Sequence, residues 1–137
     1  MFLNPEVAGV GINEHQAQKS GINYRVASFD FRCIPRAVAM RNTGGFFKIL
    51  VTDDDDMKVL GMRAVGEHAS SAIQAVALLI ATNKSIEELS ELIHPHPSII
   101  EGIQECVRVL LGNSIFKPDI FQDYLEYRCY RNGEFIE

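Results

Sequence analysis

The stretch FFKILVTDDDDMKVLGMRAV, residues 46–65, decides the fold of this chain. Its two apolar segments, Phe46 to Thr52 and Met57 to Val65, are rich in β-branched and aromatic residues and are separated by four consecutive aspartates. Apolar runs of this length on either side of a polar cluster are typical of two paired strands. The stretch therefore predicts a β-hairpin with its turn at Asp53 to Asp56.

The four aspartates admit a second interpretation, because calcium prefers clustered carboxylate oxygens. The run lacks the spaced ligands and the central glycine of a calcium-binding loop, and adjacent side chains cannot all converge on one ion. We therefore favour a solvated turn over a metal site at Asp53 to Asp56.

The residues before the hairpin predict two more strands and a short helix. Val7 to Gly11 is a short apolar strand candidate, and Asn13 can cap a polar, exposed helix that runs through Lys19 and stops at Gly21. Tyr24 to Phe31 alternates as a strand with two differently solvated faces would. Strands followed by helices predict the α+β class, with an antiparallel sheet packed against helices.

The pattern of residues after the hairpin predicts helices. From Ala69 to Thr82 the apolar side chains nearly encircle the predicted helix, so that it requires cover on every side. A second subunit would supply that cover, although an ordinary core helix would show the same pattern.

Two capping-box patterns follow. Ser85 with Glu88 predicts a helix that runs to about Ile93, and Ser98 with Glu101 predicts another. The apolar residues on one face of this last helix are Ile99, Ile103, Val107 and Leu110.

Composition excludes several classes of function. The chain has 137 residues, 47% hydrophobic and 23% charged, which suits one compact domain. A net charge of −5, with the basic residues scattered, argues against nucleic acid as a partner. The N-terminus has no basic head and no apolar run is long enough to span a bilayer, so we expect neither a secretory signal nor a membrane anchor. Three widely spaced cysteines favour free thiols in a reducing cytoplasm.

The most informative candidate site is His94-Pro95-His96-Pro97-Ser98-Ile99-Ile100-Glu101. It places an imidazole and a carboxylate five positions apart across a proline-stiffened turn into a helix. A carboxylate that holds one ring nitrogen of a histidine fixes its tautomer and suits it to proton transfer near neutral pH. The spacing therefore predicts half of an active site, whose substrate lies elsewhere.

Several short segments of the chain, including His94 to Glu101, follow one another in an order that resembles the C-terminal dimerisation domain of the flavin-dependent pyridine nucleotide-disulfide oxidoreductases. Among these enzymes the resemblance is greatest to dihydrolipoamide dehydrogenase. The resemblance extends from about residue 4 to Lys117, and its most specific part is the His-Pro-Ser-to-Glu element. The matching pieces are Asn4-Pro5-Glu6-Val7-Ala8, Val10-Gly11, Arg36-Ala37, Thr43-Gly44-Gly45, Lys48-Ile49, Val59-Leu60-Gly61, Gly66-Glu67 and His94 to Ser98 with Glu101.

The resemblance implies that His96 is a catalytic acid/base and that Glu101 orients it. In that family each subunit lends such a pair to the redox disulfide of its neighbour, and the peptide bond between His96 and Pro97 is expected to be cis. A thiol with an ordinary pKa of about 8.5 is mostly protonated at neutral pH, so a nearby base must take its proton. An imidazole, with an ordinary pKa of about 6.5, can do so and then stabilise the thiolate as imidazolium.

The resemblance further implies a homodimer and a parent enzyme that contains FAD and NAD(P). Neither cofactor is expected in this chain, because Gly9-Val10-Gly11 does not continue into a GxGxxG phosphate-binding turn. Cys33, Cys106 and Cys129 are too far apart in sequence to form a close redox pair. We expect the chain alone to be inactive, with the cofactor-binding domains of the parent enzyme as its partners.

Alternatives remain open at several residues. Glu101 could serve only as a helix cap for Ser98, which would leave an assembly module without a catalytic role. His94 and His96 could begin a metal site, but no third ligand is near. Cys106 is expected to be a buried structural thiol and Cys33 to lie in a loop without an activating base. His15 is expected to be exposed on the first helix.

We divide the chain into a dimerisation domain, residues 1–117, and a C-terminal extension, residues 118–137. The sequence of the extension supports two structures. One helical face could be formed by its apolar residues, or Asn132-Gly133 could turn a small hairpin. The apolar residues in question are Ile120, Phe121, Tyr124 and Leu125.

Overall fold

A computed structural model of the protein describes residues 3–136. Met1 and Phe2, which begin the segment predicted to carry no secretory signal, and Glu137, the last residue of the C-terminal extension, lie outside the described residues. No helix within residues 3–136 is long and apolar enough to cross a membrane.

One antiparallel sheet of six strands forms the body of the fold, in the order β1-β4-β3-β2-β5-β6. Each strand pairs only with antiparallel neighbours. This arrangement, with helices packed on the sheet, confirms the predicted α+β class. The strands are β1 Val7–Gly11, β2 Tyr24–Asp30, β3 Phe46–Thr52, β4 Val59–Val65, β5 Leu125–Arg131 and β6 Glu134–Ile136.

Six short helices within the described part of the chain connect or cover the strands. The last helix, α6, lies over β2 and β3 at the centre of the sheet, whereas α4 lies over β4 and β1 at one edge. Their side chains join one apolar core with the inner face of the sheet. The helices are α1 Glu14–Lys19, α2 Pro35–Ala39, α3 Ala69–Ala72, α4 Gln74–Ala81, α5 Glu87–Ser90 and α6 Glu101–Leu110, with a 3₁₀ turn at Phe31–Cys33.

The central hairpin of β3 and β4 forms as the sequence predicts. Strand β4 begins at Val59, two residues later than expected, because the preceding residues complete the turn. Asp54 Oδ1 holds that turn closed by accepting hydrogen bonds from Thr52 Oγ1 (2.7 Å) and from the amide of Met57 (3.0 Å). Three of the four aspartates, residues 54–56, are exposed.

The first helix and strand also match their predictions. Asn13 and Gln16 form a complete capping box at the start of α1, and Gly21 adopts a left-handed φ of 67° just after it. Strand β2 differs in one respect, because it lies between β3 and β5 and is buried on both faces. Its expected last residue, Phe31, instead begins the 3₁₀ turn and is fully buried.

The predicted helix from Ala69 to Thr82 is interrupted. It divides at Ile73 into α3 and α4, and only Val76 and Leu79 of α4 are buried. The encircling apolar pattern therefore does not correspond to a helix buried on all sides within this chain. Part of its apolar surface is exposed.

The next predicted helix is shorter than expected. Helix α5 ends at Ser90, three residues before Ile93, and its N-cap residue is Ile86 rather than Ser85. The Ser85 hydroxyl still accepts a hydrogen bond from the amide of Glu87 (3.1 Å), whereas the side chain of Glu88 pairs with Lys84. Residues 91–100 consequently form a loop between α5 and α6, and the predicted last turn of α5 is absent from this segment.

Candidate functional site

The loop between α5 and α6 carries the predicted catalytic pair. His96 Nδ1 lies 2.6 Å from Glu101 Oε1, and the peptide bond between His96 and Pro97 is cis, as expected. The imidazole is 69% exposed, while the carboxylate is only 19% exposed. A half-buried carboxylate thus anchors a histidine whose other ring nitrogen is free to face a reactant.

Glu101 combines the two roles that the sequence presented as alternatives. While Oε1 contacts His96, Oε2 accepts a hydrogen bond from the amide of Ser98 (2.8 Å). Both carboxylate oxygens are therefore engaged, and the cap restricts rotation of the group that orients the imidazole. The reciprocal half of the capping box is missing, since Ser98 Oγ makes no hydrogen bond with any described residue.

The tautomer of His96 follows from this contact. An ionised carboxylate can only accept hydrogen bonds, so the proton of a neutral imidazole is placed on Nδ1. Nε2 then carries the lone pair and is the nitrogen able to accept a proton from a reactant. The geometry can therefore support general acid/base chemistry at Nε2.

Helix α6 fixes the position of Glu101 because it packs closely on the sheet. Gly102 is buried directly against Phe47 and Ile34, where an added Cβ would lie 2.6 Å from Ile34 Cδ1 and 2.7 Å from Phe47 Cδ2. One turn later the thiol of Cys106 donates to the carbonyl of Phe47 (3.6 Å). The face of α6 predicted to be apolar is buried, at Ile99, Ile103, Val107 and Leu110.

The cysteines and the other histidines do not extend this site. Cys106 is fully buried, as predicted, and burial raises the pKa of its thiol well above the ordinary value. Cys33 lies in the 3₁₀ turn, where burial and then Asp30 raise its pKa, so that it too is a poor thiolate. His94 Nδ1 lies 3.0 Å from the carbonyl of Leu92, and His15 is exposed on α1 as expected.

A metal site is not formed by the candidates from the sequence. Within residues 3–136 no three His, Cys, Asp or Glu side chains are placed to hold one ion. The first aspartate of the turn instead has two cationic partners. Asp53 Oδ1 accepts from Arg25 Nε (2.8 Å) and Oδ2 accepts from Arg131 Nε (2.6 Å).

Asp53 is the residue that sequence analysis interpreted wrongly. Its side chain is 0% exposed, so it is not part of a solvated turn. The hydrogen bonds from Arg131 and Arg25 outweigh burial and lower its pKa to about 2. No local signal identifies this clamp, because Arg131 is distant in sequence and reaches Asp53 only through pairing of β5 with β2.

An apolar surface adjoins the His96 loop and was only partly foreseen. The sequence pointed to the helix from Ala69, and Leu78 of α4 is indeed 62% exposed. The early end of α5 also leaves Leu92 51% exposed and Ile93 96% exposed. We call Leu78, Leu92 and Ile93 the α4 surface; it borders a groove of about 470 Å³ that His94 also lines.

The glycine pair in β1 does not form a phosphate-binding turn. Gly9 and Gly11 lie within the strand, paired with Arg63 and Gly61 of β4. A Cβ at Gly11 would meet the carbonyl oxygen of Leu60 at 2.2 Å, and φ is 65° there, so this glycine permits close strand packing. The segment Gly9 to Gly11 is therefore part of a strand and not a turn that could cradle a pyrophosphate.

Comparisons with known proteins identify the family of the chain. A family profile described as "Pyridine nucleotide-disulphide oxidoreductase, dimerisation domain" matches residues 1–107. A dihydrolipoyl dehydrogenase of Geobacillus stearothermophilus is 36% identical over 115 residues, which are 84% of this chain and 24% of that protein. A mercuric reductase of Lysinibacillus sphaericus is 37% identical over 103 residues, 75% of this chain and 19% of that protein.

Solved structures show the same fold. The crystal structure of LpdA from Mycobacterium tuberculosis has a TM-score of 0.73 and 27% identity, covering 80% of this chain and 24% of that one. The HOCl-induced flavoprotein disulfide reductase RclA from Escherichia coli, as a Cu(II) complex, has a TM-score of 0.73 and 26% identity over 79% of this chain and 24% of that one. The chain thus spans about a quarter of the length of these relatives, and it belongs to the dimerisation-domain family of the pyridine nucleotide-disulphide oxidoreductases.

Proposed function

We propose that this chain serves a dihydrolipoamide dehydrogenase-like disulfide oxidoreductase by lending His96 and Glu101 to the redox disulfide of a partner subunit. The observation that supports this proposal is the 2.6 Å contact between His96 Nδ1 and Glu101 Oε1 on an imidazole that is 69% exposed. A histidine that served only as a surface residue would not require a carboxylate whose two oxygens are both engaged.

The proposed step is a proton transfer that prepares thiol–disulfide exchange. Nε2 of His96 takes the proton of an S–H group, which leaves a thiolate with the electron pair and an imidazolium on the histidine. The carboxylate of Glu101 faces the imidazolium at Nδ1 and stabilises its charge. In the reverse direction the imidazolium returns the proton to the sulfur that leaves.

In this proposal FAD and NAD(P) bind to other parts of the parent enzyme, which is supported by the pairing of Gly9 to Gly11 within a strand. They would supply the electron transfer that regenerates the disulfide, and this chain would contribute only the proton transfer and the subunit contact. The proposed partners are accordingly a second copy of the parent subunit and its cofactor-binding domains.

The proposed subunit contact is the α4 surface. Leu78, Leu92 and Ile93 are apolar residues that are 62%, 51% and 96% exposed, and large exposed apolar groups in one patch mark an interaction site. His94 lines the same groove, so the loop that carries His96 continues directly from this surface. A contact made here would carry the imidazole to the boundary between two subunits.

A chimera tests the catalytic role. The matching quarter of the Geobacillus stearothermophilus dihydrolipoyl dehydrogenase is replaced by the whole chain, and oxidation of dihydrolipoamide is measured in preparations whose flavin absorbance shows correct assembly. His96→Gln should lower kcat roughly 10²–10⁴-fold, as expected for loss of a general base, whereas the control His94→Gln should change it little. Equal activity of the His96→Gln chimera and the unmodified chimera would refute the catalytic role.

Mixed dimers test whether the pair acts across the interface. One subunit carries His96→Gln, and the other carries an intact His96 but lacks the redox cysteines of the host enzyme. Activity should return in the mixed dimer, since one complete site combines the intact histidine with the partner's intact disulfide. Failure to regain activity in purified mixed dimers would show that His96 does not act in trans.

The isolated chain provides a test that needs no host enzyme. Nitrogen-15 shifts of the neutral imidazole should show the proton on Nδ1 in the native chain. Glu101→Gln should populate both tautomers, because a carboxamide can donate as well as accept a hydrogen bond. An unchanged tautomer ratio would show that Glu101 does not orient His96.

A further inference from the structure

The last strands of the sheet lie outside the part of the chain that the family profile matches. That match ends at residue 107, whereas β5 and β6 occupy Leu125–Arg131 and Glu134–Ile136. We call residues 125–136 the tail hairpin. Its turn uses Asn132 and Gly133, with φ of 53° and 95°, so of the two structures that the sequence allowed for this segment the hairpin forms.

The tail hairpin covers the whole outer edge of β2. Six residue pairs join the two strands, from Tyr24 opposite Tyr130 to Phe29 opposite Leu125. In the profile-matched part of the sheet, β2 is the last strand, in the order β1-β4-β3-β2. Without the tail hairpin, a seven-residue strand with buried neighbours on both faces would expose its backbone donors and acceptors.

Two arginines of β5 fasten the tail hairpin to the family fold. Arg128 Nη2 donates to both oxygens of Glu14 in α1 (2.9 Å each), and Arg131 Nε donates to Asp53 in the β3–β4 turn (2.6 Å). The ring of Tyr130 stacks on that of Tyr24 with centroids 5.2 Å apart. Each contact joins the tail hairpin to a different element, so the hairpin is an integral part of the fold.

The new edge of the sheet is much less suited to pairing than the edge it replaces. Strand β6 has three residues, begins with Glu134 and follows a tight turn, whereas β2 has seven residues. Short and charged edge strands are among the devices by which natural sheets avoid pairing with other chains.

We propose that the tail hairpin is an edge cap that occupies a strand-addition site on β2, and that the partner it excludes is β2 of a second copy of this chain. Strand β5 pairs with β2 in the antiparallel direction. Two copies of β2 related by a twofold axis would also pair in the antiparallel direction. The apolar residues of β2 also recur on both of its faces, as expected of a strand that occupies an internal position in a sheet.

This site is separate from the α4 surface. Helix α4 lies over β4 and β1, while the tail hairpin extends the opposite edge of the sheet. A protomer that used both surfaces would have two different contacts with copies of itself, and such contacts build assemblies larger than a dimer. The edge cap would therefore keep assembly limited to the α4 surface.

Charge reversal in the full-length chain tests the proposal. Arg128→Glu with Arg131→Glu places new carboxylates beside Glu14 and Asp53 and should release the tail hairpin. Hydrogen exchange at β2 amides that face β5 should accelerate at least about tenfold, while amides between β3 and β4 stay protected. The molar mass by light scattering should double at micromolar concentration relative to the unmodified chain.

The matched control is Arg36→Glu with Arg41→Glu, which changes the net charge equally at exposed positions away from the hairpin. It should leave both exchange and mass unchanged. The pair of charge reversals is repeated in a Leu78→Asp background, where the α4 surface is disabled, and the mass should double there as well. This arm separates a failure of the edge-cap proposal from a failure of the proposed α4 contact.

Three outcomes overturn the proposal: unchanged exchange at β2, faster exchange at β2 with an unchanged mass, or an equal gain of mass in the control. If the double variant also loses protection between β3 and β4, the single substitution Arg131→Gln replaces it. That milder variant must still accelerate exchange at β2 and raise the mass with concentration, and a result identical to the unmodified chain refutes the edge cap.

Discussion

Helices α6 and α4 contribute to the same core but use their apolar residues in opposite ways. Seven of the ten residues of α6 are buried, because it lies over the centre of the sheet and beside α5. Only two of the eight residues of α4 are buried, although almost all are apolar, because it lies over the edge strands β4 and β1. One helix thus supports the candidate site, and the other leaves apolar surface exposed.

Apolar content alone therefore does not assign a helix to the core. Helix α6 begins at Glu101. The packing of α6 on the sheet therefore fixes the position of the carboxylate that contacts His96. The exposed part of α4, which includes Leu78, contributes little to the packing of the core. The same substitution on the two helices should therefore have very different consequences.

The largest effect should come from a charge placed in the α6 interface. Val107 is 0% exposed, so Val107→Asp buries a carboxylate without a partner and should destabilise the fold by roughly 4–5 kcal/mol or more. Urea unfolding followed by circular dichroism measures the loss. A change below about 1 kcal/mol would mean that α6 is not packed as tightly as the structure shows.

The clamp of Asp53 by Arg25 and Arg131 lies in neither helix and should contribute to stability independently of both. The lowered pKa of Asp53, about 2 against an ordinary 3.8, contributes stability above pH 4 that is lost as the pH falls through 2. The contribution is roughly 2 kcal/mol at neutral pH.

Asp53→Asn should remove that stability at pH 7 and flatten the dependence of the unfolding free energy between pH 4 and pH 2. Unfolding measured across this range checks the expectation. The contact between His96 and Glu101 should not change, and a variant with the same pH dependence as the unmodified chain would refute the clamp.

A smaller effect should come from added volume beneath Glu101. Gly102→Ala brings a methyl group within 2.7 Å of Ile34 and Phe47, and overpacking of a core costs about 1–3 kcal/mol. Alanine recovers about 1 kcal/mol through its higher helix propensity, so the net loss should be about 1 kcal/mol.

Displacement of the first turn of α6 should also weaken the contact between His96 and Glu101, visible as a change in the imidazole tautomer. Gly44→Ala is the matched control, because its added Cβ meets no atom within 4 Å. If both alanine variants behave alike, Gly102 is not required for the position of Glu101.

The smallest effect on stability should come from α4. Leu78 is 62% exposed, so Leu78→Asp should change the unfolding free energy of the protomer by no more than about 0.5 kcal/mol. It should nevertheless abolish a dimer formed through the α4 surface, because it places charge in an apolar contact. Sedimentation equilibrium at micromolar concentration decides the matter, and an unchanged dimer would exclude Leu78 from the interface.

Much of the fold was predictable because its signals are local. Strands β1 and β3, the cap of α1 at Asn13 and the buried face of α6 all follow from spacing over a few residues. The pair of His96 and Glu101 was predictable for the same reason, since only five positions and one turn separate them. Their proximity is now observed, while their catalytic role stays a prediction.

The α+β class, the central hairpin, the acid/base candidates and the family therefore follow from the sequence. Three features emerge only from the folded chain: β2 is an internal strand, Asp53 is buried between Arg25 and Arg131, and α4 leaves Leu78 exposed. The reason is physical: periodicity and caps depend on neighbours along the chain, whereas burial depends on which distant segment covers a surface. Asp53 and Arg131 are 78 positions apart, and only the pairing of β5 with β2 brings them together.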